Sequence, residues 1–227
     1  MMLTDRARIL RRRSNLNQHS QLQRVIISLA GPPGSGKSTV AAEVVERLNK
    51  ESPSGFYAAV LPMDGFHLTR AALDAMPNHK EAHARRGAAW TFDAQGIVDL
   101  ITALHDSRSH LDKIHTAPSF DHATKDPVEH AIQIDANIQL LILEGNWLLF
   151  NEEPWSVIGE LVDETWFIDV DPVLAVQRVA KRHLESGIEA NWEGALYRAK
   201  NNDMVNGELV REKLVPPTLR IQSIEEF

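Results

Sequence analysis

The residues best suited to do chemistry lie in one short stretch. Gly31-Pro32-Pro33-Gly34-Ser35-Gly36-Lys37-Ser38 fits the pattern G-x-x-x-x-G-K-[ST] in full, and Thr39 follows it. Glycines let the backbone turn tightly and aim its N–H groups at phosphate oxygens. A helix that follows adds the positive end of its dipole. Lys37 supplies a mobile cation for the terminal phosphates, and the Ser38 hydroxyl reaches a Mg²⁺ ion. The plain alternative is a Gly/Pro-rich turn with no ligand. The context favours the phosphate cradle, because an apolar run at 25–29 precedes it and a helical pattern at 39–48 follows.

Such a loop holds a nucleotide without defining a reaction, since GTPases, ATP-driven motors and small-molecule kinases share it. The guanine-reading pattern N-K-x-D is absent, because Asn49-Lys50 runs into Glu51-Ser52, and a GTPase is disfavoured. Ligands of open α/β sheets sit at the carboxyl edge of the strands, so the discriminating residues are expected at other strand ends. Two acids stand there: Asp64 in LPMDGFH and Glu144 in LLILEGNW. A kinase needs one acid to hold or polarise Mg²⁺ and one to accept the proton of the acceptor hydroxyl. Either acid alone reads equally well as a helix cap. Together, beside a complete phosphate loop, they point to phosphoryl transfer. Asp169 and Asp171 also follow a strand, but Asp171 precedes Pro172 in the manner of a helix start, and both read as structural.

The elements that must position these residues alternate along the chain. Apolar runs at 25–29, 56–61, 138–143, 165–170 and 219–224 read as strands. Stretches at 39–48, 94–104 and 173–185 have helical spacing, the last carrying Arg178, Lys181 and Arg182. The alternation predicts a three-layer α/β fold of P-loop NTPase type, with a mainly parallel sheet and covering helices. Residues 105–137 break the rhythm with a polar stretch that reads as a hairpin or an excursion over the sheet edge. Insertions of this kind often carry ligand contacts.

Bulk properties set limits. With 227 residues and 43% hydrophobic residues the chain has ample material for a core. A net charge of −7 argues against a broad nucleic-acid footprint. The absence of cysteine removes disulfides and thiolate metal sites and fits a reducing compartment. No apolar run reaches the roughly 18–20 residues that span a bilayer, so no membrane association is expected. The Arg-rich start could be an organelle presequence, but a short helix packed on the domain is preferred, because a cleavable leader needs a clear amphipathic face. The cytoplasm is the expected compartment, and a homodimer is compatible with the sequence.

GPPGSGKST, MDGFH, RRGAAWTFD, PSFDHATKDP, LEGNW and QRVAKRH, in this order and spacing over about residues 25–206, resemble the phosphoribulokinase/uridine kinase family of P-loop kinases, which includes pantothenate kinase. The set is similar to bacterial and fungal members, some provisionally labelled kinases of fructose transport systems. The resemblance implies ATP as donor with Mg²⁺, and a small-molecule hydroxyl as acceptor: a sugar, a nucleoside or a pantothenate-like alcohol. It implies that Asp64 activates the acceptor hydroxyl and that Glu144 is the second acid, near Mg²⁺ and the acceptor. It sets Arg178 and Arg182 on a lid helix that closes over the transferring phosphate. Arg85, Arg86, Phe92, Asp93, Phe120 and Asp121 fall in acceptor-side segments. The chain then reads as a single kinase domain over 1–227, with an N-terminal helical extension at 1–24, an acceptor-side insertion at 105–137 and a lid region at 173–206. Two departures stand out. Gly65-Phe66-His67 is closer to pantothenate kinase than to uridine kinases, and Phe120 stands where many members have Tyr.

Softer signals complete the reading. His67 either contacts the acceptor and orients Asp64, or packs as a half-buried histidine. Arg85 and Arg86 either clamp an anionic acceptor or form a solvated helix end. NNDMVNGELV (201–210) lines the nucleotide site or supplies caps and turns. His79 and His83, four apart, are a weak candidate for a metal pair without the H-E-x-x-H pattern. The five tryptophans read as packing residues, with Trp90 a candidate for stacking on the acceptor. A regulatory module that binds and slowly hydrolyses ATP for a transport or metabolic partner is the alternative to a metabolic kinase.

Overall fold

The computed structural model describes residues 2–16, 23–52, 55 and 57–224. The order of elements is α1 (Met2–Leu16), β1 (Val25–Ala30), α2 (Lys37–Lys50), β2 (Ala58–Pro62), α3 (Arg70–Asp74), α4 (His79–Ala84), α5 (Ala94–Asp106), β3 (His115–Asp121), β4 (Asp126–Ile134), β5 (Leu140–Gly145), α6 (Ile158–Leu161), β6 (Glu164–Val170), α7 (Pro172–Glu185), α8 (Trp192–Arg198), α9 (Met204–Glu212) and β7 (Leu219–Ser223). The strands and helices expected from the sequence are all present with ends shifted by a few residues. Phe56, the expected first residue of β2, lies outside the described residues, as do Met1 and residues 17–22 of the N-terminal extension.

Five strands form one parallel sheet in the order β2-β5-β1-β6-β7. Every residue of β1 (VIISLA) and β5 (LLILEG) is buried. That is why these strands read as unbroken apolar runs: a parallel sheet covered on both faces has no solvent side to make polar. The two faces build separate cores. Ile26, Phe66, Ile97, Ile101, Trp147 and Phe167 belong to the core on the side of α5. Val25, Ile27, Leu29, Val44, Leu48 and Trp166 belong to the core beneath α1 and α2. The switch from Val25 to Ile26 to Ile27 between cores is the two-residue period of a strand. The fold is therefore the three-layer α/β arrangement that the alternation predicts.

The polar stretch at 105–137 contains the antiparallel hairpin β3–β4, which stands apart from the main sheet. Asp171 accepts from the backbone N–H of Val173 and Leu174 at 2.9 and 3.2 Å and caps α7 at Pro172. Asp169 pairs with Arg211 and Arg220, holding α9 and β7 against β6. α1 packs on α2 and β1, burying Leu3 and Ala7. No described helix is long and apolar enough to cross a membrane.

Candidate active site

The sheet order decides what meets at its carboxyl edge. β1, β5 and β2 are consecutive neighbours, and Glu144 lies level with Leu29 on one side and Pro62 on the other. The glycine-rich loop leaves β1, Asp64 follows β2, and Glu144 ends β5, so three sites distant in sequence converge. Gly34 and Gly36 take left-handed φ values of 80° and 81°, a conformation costly for other residues, and α2 starts at Lys37. In the first turn of α2, Ser38 Oγ donates to Glu144 Oε1 at 2.9 Å. The second carboxylate oxygen, Oε2, is buried with no hydrogen-bond partner among the described residues. Burial raises the Glu144 carboxyl above the ordinary carboxylate range, while the Lys37 ammonium and the Ser38 hydrogen bond pull it down. Burial depresses Lys37 below the ordinary lysine value, opposed by Glu144 and Asp64. A hydroxyl beside a carboxylate with an unmatched oxygen is a hard, oxygen-only donor set that suits Mg²⁺.

A cavity of about 570 Å³ opens over these groups, lined by Lys37, Ser38, Asp64, Phe120, Glu144 and Arg182. The hairpin forms its far wall with Ser119, His122 and Ile132, which the motifs did not single out. Ser119 and His122 lie inside the quoted PSFDHATKDP, so a signal existed for both; Ile132 carries none. The hairpin is pressed onto the turn that bears Asp64. A Cβ on Gly65 would lie 2.0 Å from the Pro118 carbonyl oxygen, so this close crossing requires glycine. His67 sits between Phe92 and Phe120, with ring centroids 4.0 and 4.9 Å away. Its Nδ1 is 2.8 Å from the Asp64 carbonyl oxygen, and burial lowers its pKa.

Most other residues singled out from the sequence are engaged by protein groups. Arg85 donates to the Asn201 and Asn202 carbonyls and to Asn206 Oδ1 at 2.8 Å, tying its loop to the first turn of α9 and the segment before it. Arg86 donates to the Lys125 and Leu68 carbonyls and to Asp126, tying the hairpin to the Asp64 turn. Asp93 caps α5 by accepting from Gly96 N–H at 2.9 Å. Asp121 accepts from Ala123 N–H at 2.8 Å and from the Thr124 hydroxyl, and those bonds hold its carboxyl below the usual range. Phe92 is buried in the core against Trp155. Arg178 donates to the Gly34 carbonyl, to Ser223 Oγ at 2.8 Å and to the Ile224 carbonyl, fastening the loop to the end of β7. The 201–210 segment touches the loop through Gly207, whose Cβ position lies 3.2 Å from Pro32 Cβ, and its polar groups bond to the 85–86 loop. His83 pairs with Asp74 at 2.7 Å. Trp147, Trp155 and Trp166 are buried, whereas Trp90 and Trp192 are exposed.

A second cavity, about 640 Å³, lies on the other side of the loop between α1, α2 and β7. Gly36, Thr39 and Arg178 line both cavities and join them.

A complete phosphate loop at the edge of a parallel sheet, with acids at the two neighbouring strand ends, defines a P-loop kinase. The model of the phosphoribulokinase/uridine kinase family matches residues 26–187, and the chain belongs to that family. A Schizosaccharomyces pombe protein provisionally named a uridine kinase is 42% identical over 202 residues, covering 89% of this chain and 84% of that protein. A solved structure from Silicibacter, described provisionally as a fructose transport system kinase, is 28% identical with a TM-score of 0.74, covering 94% of this chain and 97% of that one. YFH7 from Saccharomyces cerevisiae, proposed to be a P-loop kinase with a circular permutation, shares the fold with a TM-score of 0.84 at 22% identity, covering 100% of this chain and 99% of that one. The family uses ATP and acts on small molecules.

Proposed function

We propose that this protein transfers the γ-phosphoryl group of ATP to a hydroxyl of an uncharged small metabolite, a sugar or a nucleoside. The observation that carries the reading is the meeting of Lys37, Ser38, Asp64 and Glu144 in one cavity beside the phosphate loop. The loop would hold the phosphates, and Ser38 with Glu144 would hold Mg²⁺ through the hydroxyl and the unmatched carboxylate oxygen. Bound there, Mg-ATP supplies the transferable phosphoryl group and a divalent charge that offsets the phosphate oxygens. Asp64 takes the proton as the acceptor hydroxyl becomes a phosphate ester. Lys37 and Arg182 face the same space and spread the negative charge of the transferring group. His67 bonds to the Asp64 carbonyl and packs between two rings, which steadies the turn that carries the base. Phe120 offers a flat apolar face to a ring-shaped acceptor. Arg85 and Arg86 act as tethers, and the segment 173–206 serves as the lid within a single domain.

The test pairs a screen with a variant. ADP release is followed across sugars, nucleosides, pantothenate and glycerate, and Asp64→Asn is then assayed with the best acceptor. The expected result is stimulation by an acceptor, with transfer lost by about 10²-fold or more in Asp64→Asn while nucleotide binding is kept. Unchanged transfer in that variant would remove Asp64 as the base. A panel in which no alcohol raises ADP release, with an ATP-dependent protein partner instead, would favour the regulatory-module reading.

A further inference from the structure

The family match ends well short of both termini, at residues 26 and 187. Two elements outside it, α1 and β7, meet over the larger cavity. This cavity continues the phosphate loop: Gly36, Thr39 and Arg178 border it on one side and the smaller cavity on the other. Leu3, Val40, Val44, Ile168 and Ile221 give it an apolar stretch of wall, and Thr4, Glu43, Arg47 and Gln222 add polar groups around that stretch. A nucleotide anchored in the loop with its terminal phosphate toward Asp64 and Glu144 in the smaller cavity has this second space for its remaining part. Apolar walls of this kind bury the two faces of a flat heterocycle. The loop side also holds an unmatched polar atom, since Ser35 Oγ is buried without a hydrogen-bond partner among the described residues.

We propose that α1 is a wall of the donor-nucleotide site, so that docking of this helix sets the affinity for the base. The inference rests on the donor reading above. It adds that the N-terminal helix takes part in binding rather than only covering the sheet. Three observations fix α1 in that position. Leu3 and Ala7 are buried in the core beneath α2. Arg6 Nε pairs with Glu164 at 2.7 Å, and that buried carboxylate also accepts from Trp166 Nε1 at 2.9 Å. Arg8 pairs with Glu51 at the end of α2. These contacts anchor the middle of α1 on β6 and on the far end of α2, and the first turn of α1, Met2 to Thr4, lines the cavity together with Gly36, Thr39 and Val40 at the start of the helix that carries Lys37 and Ser38. Because α1 contacts the base and not the phosphates, a nucleotide must tighten α1 and a docked α1 must tighten the nucleotide, by the reciprocity of linked equilibria.

The experiment compares Mg-ADP with Mg-tripolyphosphate, which fills the loop but has no base, on the full chain. Amide hydrogen exchange in α1 is expected to slow by about tenfold with ADP and to stay unchanged with tripolyphosphate. In calorimetry, Leu3→Asn should weaken ADP by about tenfold and tripolyphosphate by less than about twofold, and Leu3→Met should bind as the wild type does. Equal slowing of α1 by both ligands, no slowing by either, or equal weakening of both ligands in Leu3→Asn would overturn the proposal. The exchange measurement needs no variant, so a poorly folding Leu3→Asn leaves the test intact. Wild-type protein that binds tripolyphosphate as tightly as ADP overturns this inference alone, whereas wild-type protein that binds neither overturns the donor reading as well.

Discussion

Ser38 Oγ donates to Glu144 Oε1 at 2.9 Å and joins the first turn of α2 to the end of β5 across 106 residues of sequence. The bond aims one carboxylate oxygen at the helix and leaves the other buried and unmatched among the described residues. Glu144→Gln keeps an acceptor for Ser38 and removes the charge. We expect turnover to fall by about a hundredfold or more and the Mg²⁺ dependence of ADP affinity to flatten. Calorimetry with and without Mg²⁺ checks this, and an unchanged Mg²⁺ dependence would refute the metal role.

The same carboxylate predicts a pH effect on stability. Glu144 is raised from its ordinary 4.5, so between that value and the raised one the native state holds more protons than the unfolded chain. Stability contributed by this group is therefore lost as pH climbs through that window. Lys37 is depressed from 10.5, so the native state holds fewer protons below that value and its contribution rises with pH there. Thermal unfolding of ligand-free protein should show Glu144→Gln gaining on the wild type as pH rises above 4.5. A constant difference between the two across that range would contradict the burial argument.

Gly65→Ala sets a methyl group against the Pro118 carbonyl, where only 2.0 Å is available. The hairpin must move off the Asp64 turn. The expected result is a loss of turnover of about 10²-fold, since positioning errors near 1 Å cost that much. ADP affinity should stay within about twofold, because the phosphate loop belongs to β1 and α2. Joint loss of ADP binding and turnover would mean a wider unfolding than this contact explains.

Arg178 and Arg182 lie one helical turn apart on α7 but have different tasks. Both line the cavity with Asp64 and Glu144, but the Arg178 guanidinium is taken up by the Gly34 carbonyl, Ser223 and Ile224. Arg182→Ala should cut kcat by about 10²-fold with little change in nucleotide affinity. Arg178→Ala should weaken nucleotide binding and lower the Tm by a few degrees, about what the loss of 1 kcal/mol costs a chain of this size. Reversed effects in the two variants would exchange the assignments.

Arg85 and Arg86 bear on acceptor charge. Both guanidinium groups are engaged by backbone carbonyls, Asn206 and Asp126. An anionic acceptor would have to break these bonds or compete with phosphate for Lys37 and Arg182. Uncharged alcohols should therefore exceed glycerate and pantothenate in kcat/KM by about tenfold or more. A better rate with either anion would reverse that ranking.

Much of the donor half was legible in the sequence. The phosphate loop is local: glycine conformations, a strand before and a helix after are all fixed within a dozen residues, so the motif carries its own context. Asp171 before Pro172 was legible for the same reason, as a cap acts over three residues. The acids at 64 and 144 were found because parallel strands end in polar turns, but their meeting depended on β5 inserting between β1 and β2. Strand order is a long-range property that no local pattern encodes. The acceptor side was the least legible. Arginines and aspartates in RRGAAWTFD and PSFDH look alike as letters, whether they face a ligand or a carbonyl. Only the tertiary packing decided that Arg85, Arg86 and Asp93 bond to protein while Ser119, His122 and Ile132 line the cavity. The sequence alone determined that phosphate is held and by which backbone. The folded chain decided what surrounds it, including a helix from the N-terminus, because side-chain direction and contact follow from packing rather than from residue type.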